Sequence, residues 1–152
     1  MSPAALSIRP VQPSDHDAWK ALHRGYRDFY EHPDDDSAIE RVWAWLMNDS
    51  HEVNGLVAEV DGRLVGITHY RRFARPSSGT VGIYLDDLFT SPASRGLGVG
   101  RSLIAAVTEI ARSEGCSVVR WITSESNAQA RILYDAVATP MPLVTYDIVP
   151  QG

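Results

Sequence analysis

The chain has 152 residues, 44% hydrophobic and 22% charged, values that fit one globular domain over residues 1–152 and exclude a disordered, collagen-like or coiled-coil chain. A formal net charge of −5, from 14 Lys and Arg against 19 Asp and Glu, argues against a nucleic-acid partner, whose binding draws on clustered basic residues. The longest uninterrupted aliphatic run, Leu103–Val107, is too short to cross a bilayer.

The first predicted element is a short strand near Leu6–Arg9. Ser14 then caps a helix to about Tyr30, whose Trp19, Leu22, Tyr26, Phe29 and Tyr30 fall at helical spacing. A polar loop, Glu31–Asp36 with Pro33 as breaker, leads to a second helix over Ser37–Asn48. Its apolar stripe is Ile39, Val42, Trp43, Leu46 and Met47. Strands Leu56–Val60 and Leu64–Phe73 flank Asp61-Gly62, a strong hairpin signal. Strand Val81–Thr90 follows a turn at Pro76–Gly79. The pattern then changes to helix (Gly98–Glu114), strand (Ser117–Thr123), helix (Ser126–Val137) and strand (Leu143–Val149). Val118-Val119 and Trp121-Ile122 read as a central strand covered on both faces. An antiparallel hairpin followed by a parallel β-α-β unit makes an α/β, or α+β, mixed sheet.

One cysteine, Cys116, permits no internal disulfide and no Cys-rich zinc site. It follows the helix at Gly115 without a neighbouring histidine, so it reads as a small buried hydrophobe rather than a nucleophile. Histidines 16, 23, 32, 51 and 69 show no metal-binding spacing, and His69 reads as a strand residue rather than a base. MSPAALSIRP lacks a basic start followed by an apolar stretch. The expectation is a reduced, cytoplasmic, metal-independent protein with no membrane partner.

The informative segment runs from Leu85 to Leu103. It is a strand, a turn, the loop Arg95-Gly96-Leu97-Gly98-Val99-Gly100, and an amphipathic helix with Leu103, Ile104, Val107, Ile110 and Ala111 on one side. A helix start carries bare N–H groups and the positive end of the dipole. Glycines let a phosphate approach them, and Arg95 adds a cation. The loop predicts a phosphorylated ligand. Its G-x-G-x-G spacing departs from the dinucleotide fingerprint, and no G-K-[ST] is present.

Arg95-x-x-Gly98-x-Gly100 resembles the [RQ]-x-x-G-x-[GA] acetyl-CoA motif of the GNAT superfamily of N-acetyltransferases. The resemblance extends through Gly25–Glu31, Tyr84–Leu88, Trp121–Asn127 and Ala130–Asp135, which look like the small yeast histone/polyamine and D-amino-acid acetyltransferase subfamily. It implies a GNAT-like sheet splayed at a cofactor cleft, with acetyl-CoA as co-substrate and a cytoplasmic enzyme that often dimerises. Backbone groups of Leu88, Phe89 and Thr90 would hold the pantetheine arm and the acetyl carbonyl. The loop Arg95, Gly96, Leu97, Gly98, Val99, Gly100 and Arg101 would hold the pyrophosphate, and Asn127 the cofactor arm.

The resemblance also implies that Tyr134 protonates the leaving thiolate. Periodicity alone reads Tyr134 as a core aromatic beside Ala130, Leu133 and Val137. Asp86 and Asp87 stand out because carboxylates are depleted in strands. Val81, Ile83 and Leu85 place Asp87 on the buried face of a regular strand, whereas the resemblance implies a β-bulge about here, and a bulge re-aims side chains, so which of the two faces the cleft stays open. Alignment with the family pattern favours Asp86 as acceptor of the amine's proton, and capping or ion pairing is the competing reading. Tyr26, Tyr30, Glu31 and Trp43 are candidates for the acceptor site, since aromatic faces and a carboxylate suit an ammonium group. As helix-core aromatics and a solvated loop they need no such role.

The expectation is therefore an enzyme that moves acetyl to a primary amine by direct attack, with a small polyamine or amino acid as acceptor. The competing readings are a histone-tail or N-terminal acetyltransferase and a non-catalytic acyl-CoA-binding module. Two prolines in Val137–Pro142 depart from the family's usual Gly-Phe and affect the shape of the acceptor pocket.

Overall fold

Five strands lie side by side in chain order: β1 (Leu6–Pro10), β2 (Asn54–Val60), β3 (Arg63–Arg75), β4 (Thr80–Thr90) and β5 (Val119–Arg120). The first four run antiparallel and β5 is parallel to β4, so the sheet is mixed, as expected. The computed structural model describes residues 5–151, in two units that divide between Ile122 and Thr123.

The β2–β3 turn is Asp61-Gly62, with φ of 51° and 75°. Positive φ at both central residues gives a turn whose twist matches the flanking strands. Helices α1 (His16–Phe29) and α2 (Asp36–Leu46) follow β1. The predicted Ser14 cap is replaced by a short 3₁₀ turn over Pro13–Asp15, and Asp15 stands at the cap position. The Asp15 carboxylate accepts from Arg9 at 2.7 and 2.9 Å, which holds it below the usual carboxylate range and ties the helix start to β1. The Asp35 side chain caps α2 by accepting from the Ala38 amide at 3.0 Å.

Trp19, Leu22 and Ile39 from the two helices pack with Val57, Ile67 and Phe89 from three strands. Helix α3 (Val99–Ser113) covers the opposite face and buries Val99, Leu103, Ile104, Val107 and Ala111. A Cβ at Gly66 would lie 2.6 Å from Val99 Cγ1 and 3.1 Å from the Phe89 carbonyl, so only glycine lets α3 seat this close to the sheet. No helix among the described residues is long and apolar enough to cross a membrane.

Two expectations need correction. The strand predicted over Ser117–Thr123 pairs only at Val119 and Arg120, and it is a sheet edge rather than a central strand. The strand predicted over Leu143–Val149 does not form, and residues 139–151 carry no helix or strand. Within 123–151 the only regular element is α4 (Ala128–Val137). Pro140 and Pro142, just before it, lack backbone donors and stiffen the approach.

Candidate active site

The β3–β4 register shifts at one point: Tyr70 faces Leu85 and His69 faces Asp87, leaving Asp86 as an extra residue. This bulge explains the two adjacent carboxylates. In a regular strand they would point to opposite faces, whereas here both line one cleft of about 430 Å³ with Trp45, Glu52, His69 and Arg71.

The two carboxylates have different surroundings. Asp86 accepts from Arg71 Nε at 3.1 and 3.2 Å. Burial nevertheless pushes its carboxyl above the usual range, outweighing the guanidinium. Asp87 is bonded to His69 Nδ1 at 2.7 Å, and its own backbone carbonyl accepts from Thr68 Oγ1 at 2.7 Å. Burial works against ionisation of Asp87 too, but hydrogen bonds from His69 and Tyr26 bring it below its ordinary value.

Behind Asp87 lies an aromatic cluster. The Trp19 indole Nε1–H donates to His69 Nε2 at 3.0 Å. His23 stacks on Trp19 with ring centroids 5.1 Å apart and meets His69 edge-on at 5.1 Å. Burial pushes the His23 imidazole down to about 4, and its Nδ1 has no hydrogen-bond partner. His23, His69 and Asp87 bring one donor each to within 4.8 Å of one another. Both nitrogens of His69 are already committed, to Trp19 and to Asp87, so a metal there would have to break one of those bonds.

The substrate candidates from α1 and α2 separate. Tyr26 bonds Asp87 and stacks against Tyr30 at 4.8 Å. Glu31, exposed just past α1, takes a left-handed φ of 58°. Trp43 packs against Trp19 and His16, while Val42 and Trp45 of the same helix line the cleft.

Beyond Tyr84, β4 has no β5 partner. Among the described residues, Leu88, Phe89 and Thr90 pair with Thr68, Ile67 and Gly66 of β3 on one side only, and the other side is the edge that an extended ligand arm would join. After a second 3₁₀ turn, Pro92–Ser94, comes the glycine loop. Arg95 lies over the Phe29 ring at 5.8 Å, and Leu97 is exposed. Gly98 caps α3 with φ 75° and offers no side chain to the helix start. Ser102 is the first residue with an i−4 helical bond, 3.0 Å to the Gly98 carbonyl, so the amides of Val99, Gly100 and Arg101 precede the ladder. A Cβ at Gly96 or Gly98 would meet nothing within 4 Å. The bare amides, the open space at both glycines and the positive end of the helix dipole suit a diphosphate.

In the second unit Asn127 caps α4. Its Oδ1 accepts from the Ala130 amide at 3.4 Å and its Nδ2 donates to Thr123 Oγ1 at 3.3 Å. Tyr134, seven residues on, lies on the same helix face as Asn127, and both are half-buried.

Trp19, Arg71, Trp45 and Glu52 were missed by sequence reasoning. Trp19 reads as an apolar stripe residue and Arg71 as a strand cation. The signals available were weak: a buried indole needs an acceptor for its N–H, and His69 is the one histidine in the run Leu64–Tyr70.

The sheet, the cradle at α3 and the open edge of β4 define an acyltransferase architecture. The profile of the acetyltransferase (GNAT) family matches residues 19–137, and the chain belongs to that family as an acetyl-CoA-dependent N-acetyltransferase. It is 27% identical over 143 residues to the D-amino-acid N-acetyltransferase HPA3 of Saccharomyces cerevisiae, covering 93% of this chain and 89% of that protein. It is 32% identical over 133 residues to an aminoglycoside N(6')-acetyltransferase type 1 of Stenotrophomonas maltophilia, covering 85% and 80%. The aminoglycoside N-acetyltransferase AAC(6')-Iy, solved with CoA, shares the fold with a TM-score of 0.81 over 97% of each chain at 20% identity.

Proposed function

We propose that the enzyme acetylates a primary amine of a small cationic molecule by direct attack within a ternary complex. The observation that carries this is the bulge at Asp86, which turns two carboxylates into one cleft. Three acidic side chains, Glu52, Asp86 and Asp87, face it against the single guanidinium of Arg71, with the Trp45 ring beside them. That lining suits an ammonium-bearing acceptor, as do the D-amino-acid and aminoglycoside activities named for two relatives.

Acetyl-CoA supplies the acyl group as an activated thioester. The amides at the start of α3 and Arg95 hold its diphosphate, the free side of β4 at Leu88–Thr90 holds the pantetheine arm and polarises the carbonyl, and Asn127 contributes to the arm. Asp86, whose raised proton affinity makes it a better base than an ordinary carboxylate, takes the amine's proton directly or through water. Asp87 stays ionised and anchors the ammonium. Tyr26 bonds Asp87 and Tyr30 packs on Tyr26, Glu31 adds charge at the end of α1, and contact from α2 falls to Val42 and Trp45 rather than Trp43. Tyr134 returns a proton to the thiolate.

An acceptor panel of polyamines, D- and L-amino acids, aminoglycosides and a lysine peptide, followed by free-thiol release, tests the reading. Turnover of small cationic amines with intersecting initial-velocity lines is expected. Activity on the peptide alone would favour a protein acceptor, and CoA binding without turnover on any amine would leave a non-catalytic module.

A further inference from the structure

We propose that Trp19 and His69 are positioning residues that lock the Asp87 carboxylate toward the amine, through a tautomer of His69 set by the Trp19 indole. The proposal rests on the reading of Asp87 as the ammonium anchor.

An indole N–H can only donate. Trp19 Nε1 lies 3.0 Å from His69 Nε2, so that nitrogen presents its lone pair and carries no hydrogen. The ring hydrogen is then on Nδ1, 2.7 Å from Asp87 Oδ2, where it donates to the carboxylate. Reversing the tautomer would set two hydrogens against each other on the indole side and two lone pairs against each other on the carboxylate side. Trp19 and His69 are each only 1% exposed, so water cannot substitute for either bond.

The main chain fixes the same arrangement. His69 stands directly opposite Asp87 across the β3–β4 ladder, beside the bulge. Thr68 Oγ1 holds the Asp87 carbonyl at 2.7 Å, so Asp87 is anchored at its backbone by one β3 residue and at its carboxylate by the next. Neither Trp19 nor His69 needs to touch the acceptor. They act by denying Asp87 the rotamers that would point it away from the amine.

The groups facing His69 are the indole of Trp19, the carboxylate of Asp87 and the ring edge of His23. His23, depressed by burial, is neutral at working pH. Its unpartnered Nδ1 does not compete for the Asp87 carboxylate as a charged donor would.

The test has two arms. Long-range ¹H–¹⁵N correlation spectra of the wild-type protein read the tautomer directly: a protonated Nδ1 and a bare Nε2 are expected for His69, and a protonated Nε2 overturns the proposal whatever the enzyme acetylates. In kinetics, His69→Phe is expected to raise the KM for the amine about tenfold or more, while the KM for acetyl-CoA holds and kcat changes less. His69→Asn keeps a donor near the Nδ1 position and is expected to recover most of the amine KM. Equal loss in both variants, or loss spread evenly over both substrates, would mark His69 as merely structural. If His69→Phe does not fold, Trp19→Phe is read in its place: the KM for the amine must rise while the KM for acetyl-CoA holds, and an unchanged amine KM contradicts the role of Trp19. Absence of turnover in the wild type would remove the function proposed above and leave the tautomer result standing on its own.

Discussion

Asp86 and Asp87 are consecutive residues that share a cleft but not an environment: one accepts from Arg71 Nε, the other from His69 Nδ1. Burial raises the first, while hydrogen bonds lower the second. In the proposed function these two titratable groups, pushed apart in this way, divide base and anchor between them. A base with a raised carboxyl loses its ionised form early as pH falls, so kcat at saturating substrates should decline on the acid side through Asp86. Asp86→Asn should lower kcat by about 10²–10⁴-fold, the usual share of general-base catalysis, and remove that acid limb. Asp87→Asn should act mainly on the KM for the amine. Identical pH profiles for wild type and Asp86→Asn would take the proton from Asp86.

His23 makes a prediction about stability. Its imidazole is held at about 4 by burial, against an ordinary value of 6.5. A base depressed in the fold leaves stability intact above 6.5 and loses it as pH falls toward 4, because the unfolded chain binds the proton first. Between about pH 7 and about pH 5 this amounts to roughly 2 kcal/mol. Urea unfolding at both pH values should show the loss in wild type and a smaller loss in His23→Phe, which keeps a ring between Trp19 and Tyr26. Equal losses would show that His23 is not the titrating group.

In the proposed reaction Tyr134 protonates the leaving thiolate. Tyr134→Phe should lower turnover by roughly tenfold or more, within the range for a general acid, with little change in CoA affinity. Rapid-quench and calorimetric measurements separate the two. Unchanged turnover removes Tyr134 from the proton role.

Most of the architecture was legible because periodicity and turn chemistry act locally. Asp61-Gly62 announced its hairpin, and Leu103, Ile104, Val107 and Ala111 announced α3. The glycine loop was legible for the same reason, since bare amides and missing side chains are properties of a short segment. What failed was non-local. The Leu143–Val149 pattern has strand character, but a strand exists only with a ladder partner, and composition does not reveal whether one is present. The resemblance implies a bulge near the two carboxylates, but its place in the ladder, and so their setting, shows only when β3 and β4 are paired. The bond between Trp19 and His69 joins positions fifty residues apart in sequence, and each residue taken alone has an ordinary explanation.

The central claim is that the start of α3 grips the diphosphate of coenzyme A. Gly98, at φ 75° with open space where a Cβ would stand, is the position to probe. Gly79, at φ 67° in the turn before β4 and equally open, provides a control for backbone strain, which costs about 1–2 kcal/mol for a residue with a Cβ. Calorimetric titration of CoA into Gly98→Val and Gly79→Val, both checked for folding, decides the matter. The account predicts that Gly98→Val loses CoA binding by at least about a hundredfold, while Gly79→Val binds like wild type. Undiminished binding by a folded Gly98→Val protein would contradict it.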